Sequence, residues 1–345
     1  MKRLFMMLVM ICTVVLMTAC GDDSTSADAT SKDKVKAKTI RVGHEATEET
    51  AVHLGIQKFA DLVNEKSDGE LFVEVFANST MGSNREMLES LQNGTLEAAL
   101  PTTAPLSSFT NKSLLFDLPY LFKNRESAEH VLDGKIGDQV MEDLEESGFI
   151  GLGWLTQGFR HIAVNTSQPV TKPDDLKGIR IRTIDNPIHI AHFEELGASA
   201  APIAFTEVFT AMQQGVVDGL ENPYANIDTM GFNEVADYLV ETSHIYDAIP
   251  ILFSKVVWDT LTPEQQTLLK DSAKEASQYQ RDLQEEMDGE IRKKYEADPD
   301  GIKVSKLSDE ERAVFLEKAQ PVYDKYEDKV GKELIDDAFE EQKDF

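Results

Sequence analysis

The sequence is poor in cysteine. Its 345 residues include two, Cys12 and Cys20, and both fall near the start of the chain. If the chain is processed before Cys20, the remainder contains neither a free thiol nor a disulfide. This composition fits an exported protein that is large enough to bury its own core without covalent cross-links.

Positive charge is also scarce. The chain carries 34 Lys and Arg residues against 62 Asp and Glu residues, a formal net charge of -28. Nucleic-acid binding is excluded as a function, because it depends on clustered basic side chains that release counterions from phosphates. We interpret most of the carboxylates as a solvated surface. Salt screens their repulsion beyond about 8 Å, so arginines in a cleft can still attract an anion.

Signatures of catalysis are missing. The chain contains no Walker loop, Gly-x-Ser-x-Gly elbow, His-Glu-x-x-His motif or Cys-x-x-Cys pair. The glycines at 148, 151 and 153 are not in the order of a dinucleotide fingerprint. His189 and His192 have a spacing that could bind a metal on one helix face, but without a third ligand nearby packing is the better interpretation. We therefore predict a protein that is not an enzyme and has no cofactor or metal.

Long apolar runs are limited to one, at 4–17, which is too short to span a bilayer as a stable helix. It follows a basic start and precedes small residues before Cys20, a pattern similar to a lipoprotein cleavage box. We predict a signal peptide over 1–20 and a lipid anchor at Cys20 on the outer face of the cell membrane. An ordinary secretory peptide cleaved nearby and an uncleaved anchor are the alternatives. Residues 21–38 are almost free of apolar side chains and are predicted to form a flexible tether.

Beyond the tether, strand-like and helix-like segments alternate. The strand-like runs are 39–43, 71–76, 98–101, 149–155, 159–164, 178–183 and 216–219, and the helical patterns are 48–66, 84–93, 124–146 and 206–214. This rhythm is typical of an α/β protein with a mostly parallel sheet and helices on both faces. The length favours two domains over one.

A long helix is predicted near the end of the chain. Thr262 is placed as the N-cap, Pro263 as the first helical residue and Gln265 as the partner in a capping box. Apolar residues keep helical spacing from there until Pro299. Such a helix reaches on the order of 50 Å, enough to cross two domains. A surface helix on a single domain is the alternative.

Two polar residues stand at predicted strand ends. Arg180 and Arg182 alternate with isoleucines, so Arg182 points away from the apolar face at the end of its strand. Strand ends of α/β domains are where ligands bind, and a planar guanidinium matches a carboxylate with two charge-assisted hydrogen bonds. Asn222 precedes Pro223, which favours an extended backbone and can hold the amide toward a cleft.

A set of short motifs occurs in order along the chain. They are Val-Gly-His44, Met81-Gly-Ser-Asn-Arg85-Glu-Met-Leu, Phe116-Asp-Leu-Pro-Tyr-Leu-Phe122, Gly-Phe-Arg160, Lys-Gly-Ile-Arg-Ile-Arg182, Ala-Phe205-Thr-Glu-Val-Phe and Gly215-Val-Val-Asp-Gly-Leu-Glu-Asn222-Pro223. Each is a weak signal alone. Together they resemble the solute receptor of a TRAP (tripartite ATP-independent periplasmic) transporter over nearly the whole chain after residue 38.

The resemblance implies a two-lobed, periplasmic-binding-protein-like α/β fold with a hinge and a long helix spanning both lobes. Lobe 1 would comprise 39–159 and 248–287, and lobe 2 would comprise 160–247 and 288–345. The implied function is an extracytoplasmic receptor that binds an organic acid anion and delivers it to the small and large membrane subunits of the transporter.

The resemblance also implies roles for individual residues. Arg182 would form a salt bridge with the ligand carboxylate, Arg160 a second cationic contact, Asn222 the amide beside them and Phe205 an aromatic wall. From the residues alone, Arg160 could instead cap a helix or pair with a carboxylate of the protein, Phe205 could be a hydrophobic staple and Asn222 a turn residue.

Glu45, Asn84 and Gln157 are further candidates for ligand contact. Glu45 follows the first strand, where the family lines its cleft. A carboxylate there would repel an acid but accept hydrogen bonds from hydroxyls. C4-dicarboxylates are the first expectation from the resemblance, and uronates or other sugar acids are the alternative. A sensory co-receptor that uses the same site is a second alternative.

Overall fold

The structure, a computed structural model, describes residues 37–345. The predicted signal peptide, the lipid anchor at Cys20 and the tether as far as residue 36 lie outside the described residues. Lys38, assigned to the tether, already belongs to the first strand, where its backbone N–H donates to the carbonyl of Glu70 at 2.8 Å. Among the described residues, no helix is both long and apolar enough to cross a membrane.

Within the described residues, nine strands form one mixed sheet. The strands are β1 Lys38–Gly43, β2 Leu71–Phe76, β3 Ala98–Ala99, β4 Phe149–Val164, β5 Arg180–Thr183, β6 Ser199–Pro202, β7 Gly219–Asn222, β8 Tyr238–Ser254 and β9 Lys303–Lys306. The α-helices are α1 Ala51–Lys66, α2 Asn84–Gln92, α3 Arg125–Asp133, α4 Lys135–Glu146, α5 Pro187–Glu195, α6 Val208–Gln213, α7 Tyr224–Thr229, α8 Lys255–Trp258, α9 Pro263–Ala297, α10 Asp309–Glu317, α11 Gln320–Val330 and α12 Lys332–Glu340. Short 3-10 helices cover Ala104–Ser108, Lys112–Asp117, Pro173–Leu176, Phe205–Glu207 and Phe232–Glu234.

The strand order is β2-β1-β3-β8-β4-β7-β5-β6, with β9 paired to β8. The antiparallel strands β4 and β8 run through the centre, and parallel strands flank them on both sides. At one end of the central pair, β8 pairs with β3, and the sheet continues through β1 to β2. We name this part the first sheet region. At the other end, β4 pairs with β7, and the sheet continues through β5 to β6, while β8 pairs with β9. We name this part the second sheet region. The predicted α/β fold class is confirmed.

Helix α9 contacts both sheet regions. Its capping box forms as predicted, since Thr262 accepts from the N–H of Gln265 and the Gln265 side chain accepts in return. In the middle of the helix, the Gln280 amide accepts from Thr156 N at 3.0 Å and donates to Thr156 O at 2.7 Å. Near its end, the Tyr295 hydroxyl donates to Asp228 at 2.9 Å. The alternative of a helix confined to one domain is therefore wrong.

Several segments differ from the prediction, and three of the differences have a clear physical reason. The runs 149–155 and 159–164 form the single strand β4. The pairing with β8 shifts register between Thr156 and Phe159, where Gly158 has φ +78°, and then resumes. The helical pattern 124–146 divides into α3 and α4, because Gly134 is extended at φ -98° and ψ -168°. Such a conformation ends the helical hydrogen-bond ladder.

The predicted strand 216–219 is also misplaced. The backbone N–H groups of Val216 and Val217 both donate to the carbonyl of Ala211, at 2.8 and 3.4 Å, so they close helix α6 rather than pair with the sheet. Pairing begins at Gly219 and continues to Asn222. Asn222 is consequently the last residue of a central strand, a more rigid position than a turn.

A carboxyl group of α9 lies against the irregular part of β4. A Cβ built on Gly158 would be 2.6 Å from Asp288 Oδ2, and the φ of +78° at this residue is one that side chains with a Cβ rarely adopt. Burial raises the pKa of the Asp288 carboxyl to about 7, and the hydrogen bond from Gln284 offsets this only in part. The half-buried Asp288 therefore binds a proton more tightly in the folded protein than in the unfolded chain.

Replacing Asp288 should change how stability depends on pH. A carboxyl whose pKa is raised by folding stabilises the folded protein. This stabilisation is fully present below the unfolded pKa, about 3.9, and is lost as pH rises through the folded pKa. We expect Asp288→Asn to raise the melting temperature more at pH 8 than at pH 5. Thermal melts across this range check it, with the exposed Asp271→Asn of the same helix as control. A difference from wild type that is the same at every pH would contradict the assignment.

Candidate functional site

A cavity of about 420 Å³ lies at the boundary between the two sheet regions. All seven residues predicted to contact a ligand line it, namely Glu45, Asn84, Gln157, Arg160, Arg182, Phe205 and Asn222. Residues of the wall that the prediction missed include His44, Arg85, Thr102, Asp185 and Asn226. The fold therefore brings together residues that are far apart in the sequence.

Arg182 is a buried cation with little pairing. Its side chain emerges from the third residue of β5 and the residue is 3% exposed. Nε donates to the carbonyl of Ile203 at 2.9 Å, whereas Nη1 is buried and has no hydrogen-bond partner among the described residues. By contrast, Arg180 on the same strand is exposed and binds Asp218 at 2.5 Å.

Burial lowers the pKa of Arg182 to about 10, and the positive charge of Arg160 contributes in the same direction, whereas Glu221 and Glu45 oppose the change. The guanidinium still carries its charge at neutral pH. Its carbon lies 6.0 Å from the centre of the Phe205 ring, close enough for a cation–π interaction. Phe205 in turn packs edge-on against Phe232, so its ring is both cavity wall and core.

A set of amides lies in the same wall. The side-chain NH2 of Asn226 donates to Gln157 Oε1 at 3.0 Å and to Asn222 Oδ1 at 3.1 Å. The Nδ2 of Asn222 is buried without a partner among the described residues. Amide donors and the Arg182 guanidinium therefore line one cavity.

Glu45 and Asn84 form a pair in the wall contributed by the first sheet region. Glu45 Oε1 accepts from the backbone N–H of Asn84 and Oε2 from its side-chain NH2, each at 2.8 Å. Burial raises the pKa of the Glu45 carboxyl, while the Asn84 N–H and the charge of Arg182 act against this. Each carboxylate oxygen keeps a further lone pair that can accept a hydrogen bond.

Arg160, which lines the cavity, belongs to a buried ion network. Its Nε and Nη2 donate to Glu221 at 2.5 and 2.9 Å, and Nη1 donates to Asp247 at 2.5 Å. Glu221 also interacts with His244 at 3.2 Å and with His189 at 3.5 Å. Burial alone would lower the pKa of Arg160, but attraction to the two carboxylates outweighs it and raises the pKa. The charge of Arg160 is thus balanced within the protein.

The network extends to Asp117 at the end of the 3-10 helix Lys112–Asp117. Asp117 accepts from Thr103 at 2.9 Å and from the amide of Asn186 at 2.9 Å, and it pairs with His189 at 3.3 Å. Asn186 also caps α5, since its side chain accepts from the N–H of Ile188. The same contacts therefore fix the start of α5 and one side of the network.

The two histidines considered as metal ligands occupy different surroundings. Burial acts to lower the pKa of His189, but the hydrogen bond to Asp117 and the negative charge of Glu221 outweigh it and raise the pKa to about 9. His192 is buried, stacks on His244 with ring centres 5.6 Å apart, and its pKa is well below the usual value, chiefly through burial. Within residues 37–345, no cluster of three or more His, Cys, Asp or Glu residues is placed to hold a metal ion.

The missed residues left only weak signals in the sequence. Asn226 follows Asn222 by four residues, and Pro223 between them was interpreted only as favouring an extended backbone at Asn222, so the helix that begins at Tyr224 was not predicted. Glu221 and Asp117 occur inside the ordered motifs, where a single acidic residue among apolar ones could have been assigned to burial. Asp247 and Asp185 carry no distinguishing pattern in an acidic chain.

The fold and the cavity define a class of protein. An α/β sheet that continues through two regions, crossed by one long helix and enclosing a polar cavity at their boundary, is the architecture of a periplasmic binding protein. Residues 42–329 match the family DctP, described as bacterial extracellular solute-binding protein, family 7. The chain belongs to this family, the solute-binding proteins of TRAP transporters, which are binding proteins and not enzymes.

Named relatives agree with this assignment. The C4-dicarboxylate-binding protein DctB of Bacillus subtilis (strain 168) is 34% identical over 305 residues, covering 88% of this chain and 87% of the relative. The sugar acid binding protein DctPAm of Advenella mimigardefordensis strain DPN7T, solved with galactonate, is 33% identical with a TM-score of 0.86, covering 90% of this chain and 99% of that one. A TRAP periplasmic solute-binding protein of Sulfurospirillum deleyianum DSM 6946, solved with succinate, is 30% identical with a TM-score of 0.81, covering 87% and 97%.

The two arginines of the cavity should differ in their effect on stability. Arg160→Met leaves Glu221 and Asp247 buried without their cation and is expected to lower the free energy of unfolding by about 3–5 kcal/mol. Arg182→Met removes a buried charge that has no protein counter-ion in contact and should leave the ligand-free protein as stable as wild type or more so. Urea unfolding of both variants checks this. Equal destabilisation by the two would contradict the assignment.

Proposed function

We propose that this protein is the extracytoplasmic receptor of a TRAP transporter and binds an organic acid anion through Arg182. The observation that carries the proposal is the buried Arg182 guanidinium, which lines the cavity with Nη1 unpaired among the described residues. A buried charge is costly unless a partner of opposite sign neutralises it. A ligand carboxylate supplies that partner and accepts two hydrogen bonds from the planar fork.

The Asn222 amide could contact the same ligand carboxylate as Arg182. Asn222 Nδ2 is a donor that a carboxylate oxygen can accept from, and Phe205 forms an apolar wall beside the guanidinium. Arg160 lines the cavity too, but Glu221 and Asp247 already balance its charge. We therefore expect Arg160 to contribute less to ligand affinity than Arg182 does.

A sugar acid is the solute that the other polar groups favour. Glu45 offers carboxylate oxygens, and Asn84 Oδ1 and Thr102 Oγ1 are buried without partners among the described residues. Carboxylate and amide oxygens accept hydrogen bonds from hydroxyls, which a sugar acid has and succinate lacks. The volume of about 420 Å³ is that of a pocket that encloses a whole small molecule. The likeness to the galactonate-binding Advenella protein supports this choice.

A C4-dicarboxylate is the second candidate. Arg85 also lines the cavity, and its ion pair with Glu89, at 3.3 Å, is solvent-exposed and therefore weak. Arg85 could thus pair with a second carboxylate at the opposite end of the ligand. The DctB protein of Bacillus subtilis and the succinate-bound protein of Sulfurospirillum deleyianum support this alternative.

Delivery of the solute completes the proposal. Glu45 and Asn84 come from the predicted lobe 1, whereas Arg182, Phe205 and Asn222 come from the predicted lobe 2. A ligand that touches both lobes only when they are closed shifts an existing equilibrium toward the closed form. We propose that a lipid on Cys20 holds the receptor at the membrane, and that the small and large membrane subunits of the transporter favour the open form and take up the solute.

Replacing Arg182 by Lys should weaken binding, because an ammonium cannot reproduce the planar fork. Charged hydrogen bonds contribute about 1.5–3 kcal/mol each, so loss of the bidentate pair corresponds to about 100-fold or more in Kd. Titration calorimetry with galactonate and succinate measures this. Arg180→Lys, on the same strand but exposed, is the matched control and should bind like wild type. Wild-type affinity of Arg182→Lys would contradict the mechanism.

Replacing Glu45 by Gln should distinguish the two classes of solute. The variant keeps an acceptor for the Asn84 N–H but loses a charged acceptor for ligand hydroxyls, so the affinity for galactonate should fall by about tenfold or more. Affinity for succinate should stay the same or rise, because a negative charge is removed from the cavity. Thermal shift and calorimetry with both acids check this, with the exposed Glu48→Gln as control. Tighter binding of succinate than of galactonate by the wild-type protein would favour the second candidate.

A further inference from the structure

Asn226 uses both protons of its side-chain amide on residues of the cavity wall. It lies in the first turn of α7 and is 6% exposed. Its Nδ2 donates one hydrogen bond to Gln157 Oε1 at 3.0 Å and one to Asn222 Oδ1 at 3.1 Å. A primary amide has two N–H donors, so the donor capacity of Asn226 is fully used by these two oxygens.

This arrangement determines which way the other two amides face. An Asn or Gln side chain can turn its oxygen or its NH2 group toward a neighbour. If Gln157 or Asn222 turned its NH2 group toward Asn226, two donors would meet and a hydrogen bond would be lost. Asn226 therefore holds both oxygens toward itself. The NH2 group of Asn222 is left buried with no partner among the described residues, in the wall that also contains Arg182.

We propose that Asn226 is a positioning residue that fixes Asn222 and Gln157 as hydrogen-bond donors toward the bound anion before the anion arrives. The inference rests on the proposed binding of an organic acid and adds a residue that determines its affinity through two others. Fixing a donor in advance removes the conformational cost of ordering it during binding. The opposite orientation would present carbonyl oxygens to the carboxylate and repel it.

A purely structural role for Asn226 makes a different prediction. If Asn226 only stabilised the start of α7, its loss would weaken ligand binding by the same factor whether or not Gln157 and Asn222 were present. If it acts through those two amides, its loss should matter little once they are removed. A double-mutant cycle measures this difference directly.

The experiment compares Asn226→Leu, which keeps the branching at Cγ but removes the amide, in two backgrounds. In the wild-type background we expect Kd for galactonate to rise by about tenfold, because two donors lose their fixed orientation. In the Gln157→Ala/Asn222→Ala background the same substitution should change Kd by no more than about twofold. Calorimetry supplies Kd and thermal melts report folding. Asn226→Ala replaces Asn226→Leu if leucine prevents folding.

The outcomes separate this inference from the proposed function. Galactonate binding by the wild-type protein with equal effects of Asn226→Leu in both backgrounds would overturn the inference alone. Failure of galactonate, galacturonate and succinate all to bind the wild-type protein would overturn the proposed function and the inference with it. Asn64→Ala, which removes a half-buried amide bonded to Val73 away from the cavity, is the control. It should lower the melting temperature without changing Kd.

Discussion

The bidentate ion pair between Arg160 and Glu221 is the interaction on which the cavity wall depends. It joins β4 to β7, and through Asp247 and His244 it reaches β8. A carboxylate buried this deeply stays ionised only when neighbouring cations and hydrogen-bond donors compensate its charge. Glu221 meets this condition because Arg160, His189 and His244 surround it, and together they hold its pKa well below the usual range although burial acts to raise it. The strand that ends in Asn222 is fixed as a consequence.

The same network separates the roles of two arginines that the sequence presents alike. Arg160 is balanced by protein carboxylates, whereas Arg182 contacts a backbone carbonyl and an aromatic ring. Only an unbalanced cation gains from a ligand anion, because a guanidinium that is already paired must first give up its partners. An acidic protein can therefore bind an acid. Its surface charge is screened within about 8 Å in physiological salt, while the cavity charge acts at contact distance in a medium of low dielectric.

Much of the fold followed from local patterns. The capping box at Thr262, the strand at 71–76 and the helix from Asn84 were predicted because hydrophobic period and cap chemistry depend on neighbouring residues. The errors occurred where a distant contact decides the structure. β4 continues through Gly158 because it pairs with β8 on both sides of this residue and packs against α9. Residues 216–217 do not pair with the sheet because their N–H groups donate to the carbonyl of Ala211. Hydrophobic periodicity along the sequence does not reveal such contacts.

The sequence by itself determined the α/β class, the family and seven of the residues that line the cavity, because ordered motifs and residue types can be read along one chain. The tertiary structure decided which cation is neutralised, which amide oxygen is held and which carboxylate lies in the wall. These properties depend on distances between side chains such as Arg160 and Glu221 or Asn226 and Gln157, which lie 61 and 69 positions apart. Electrostatic balance is a property of proximity in space, and only folding establishes it.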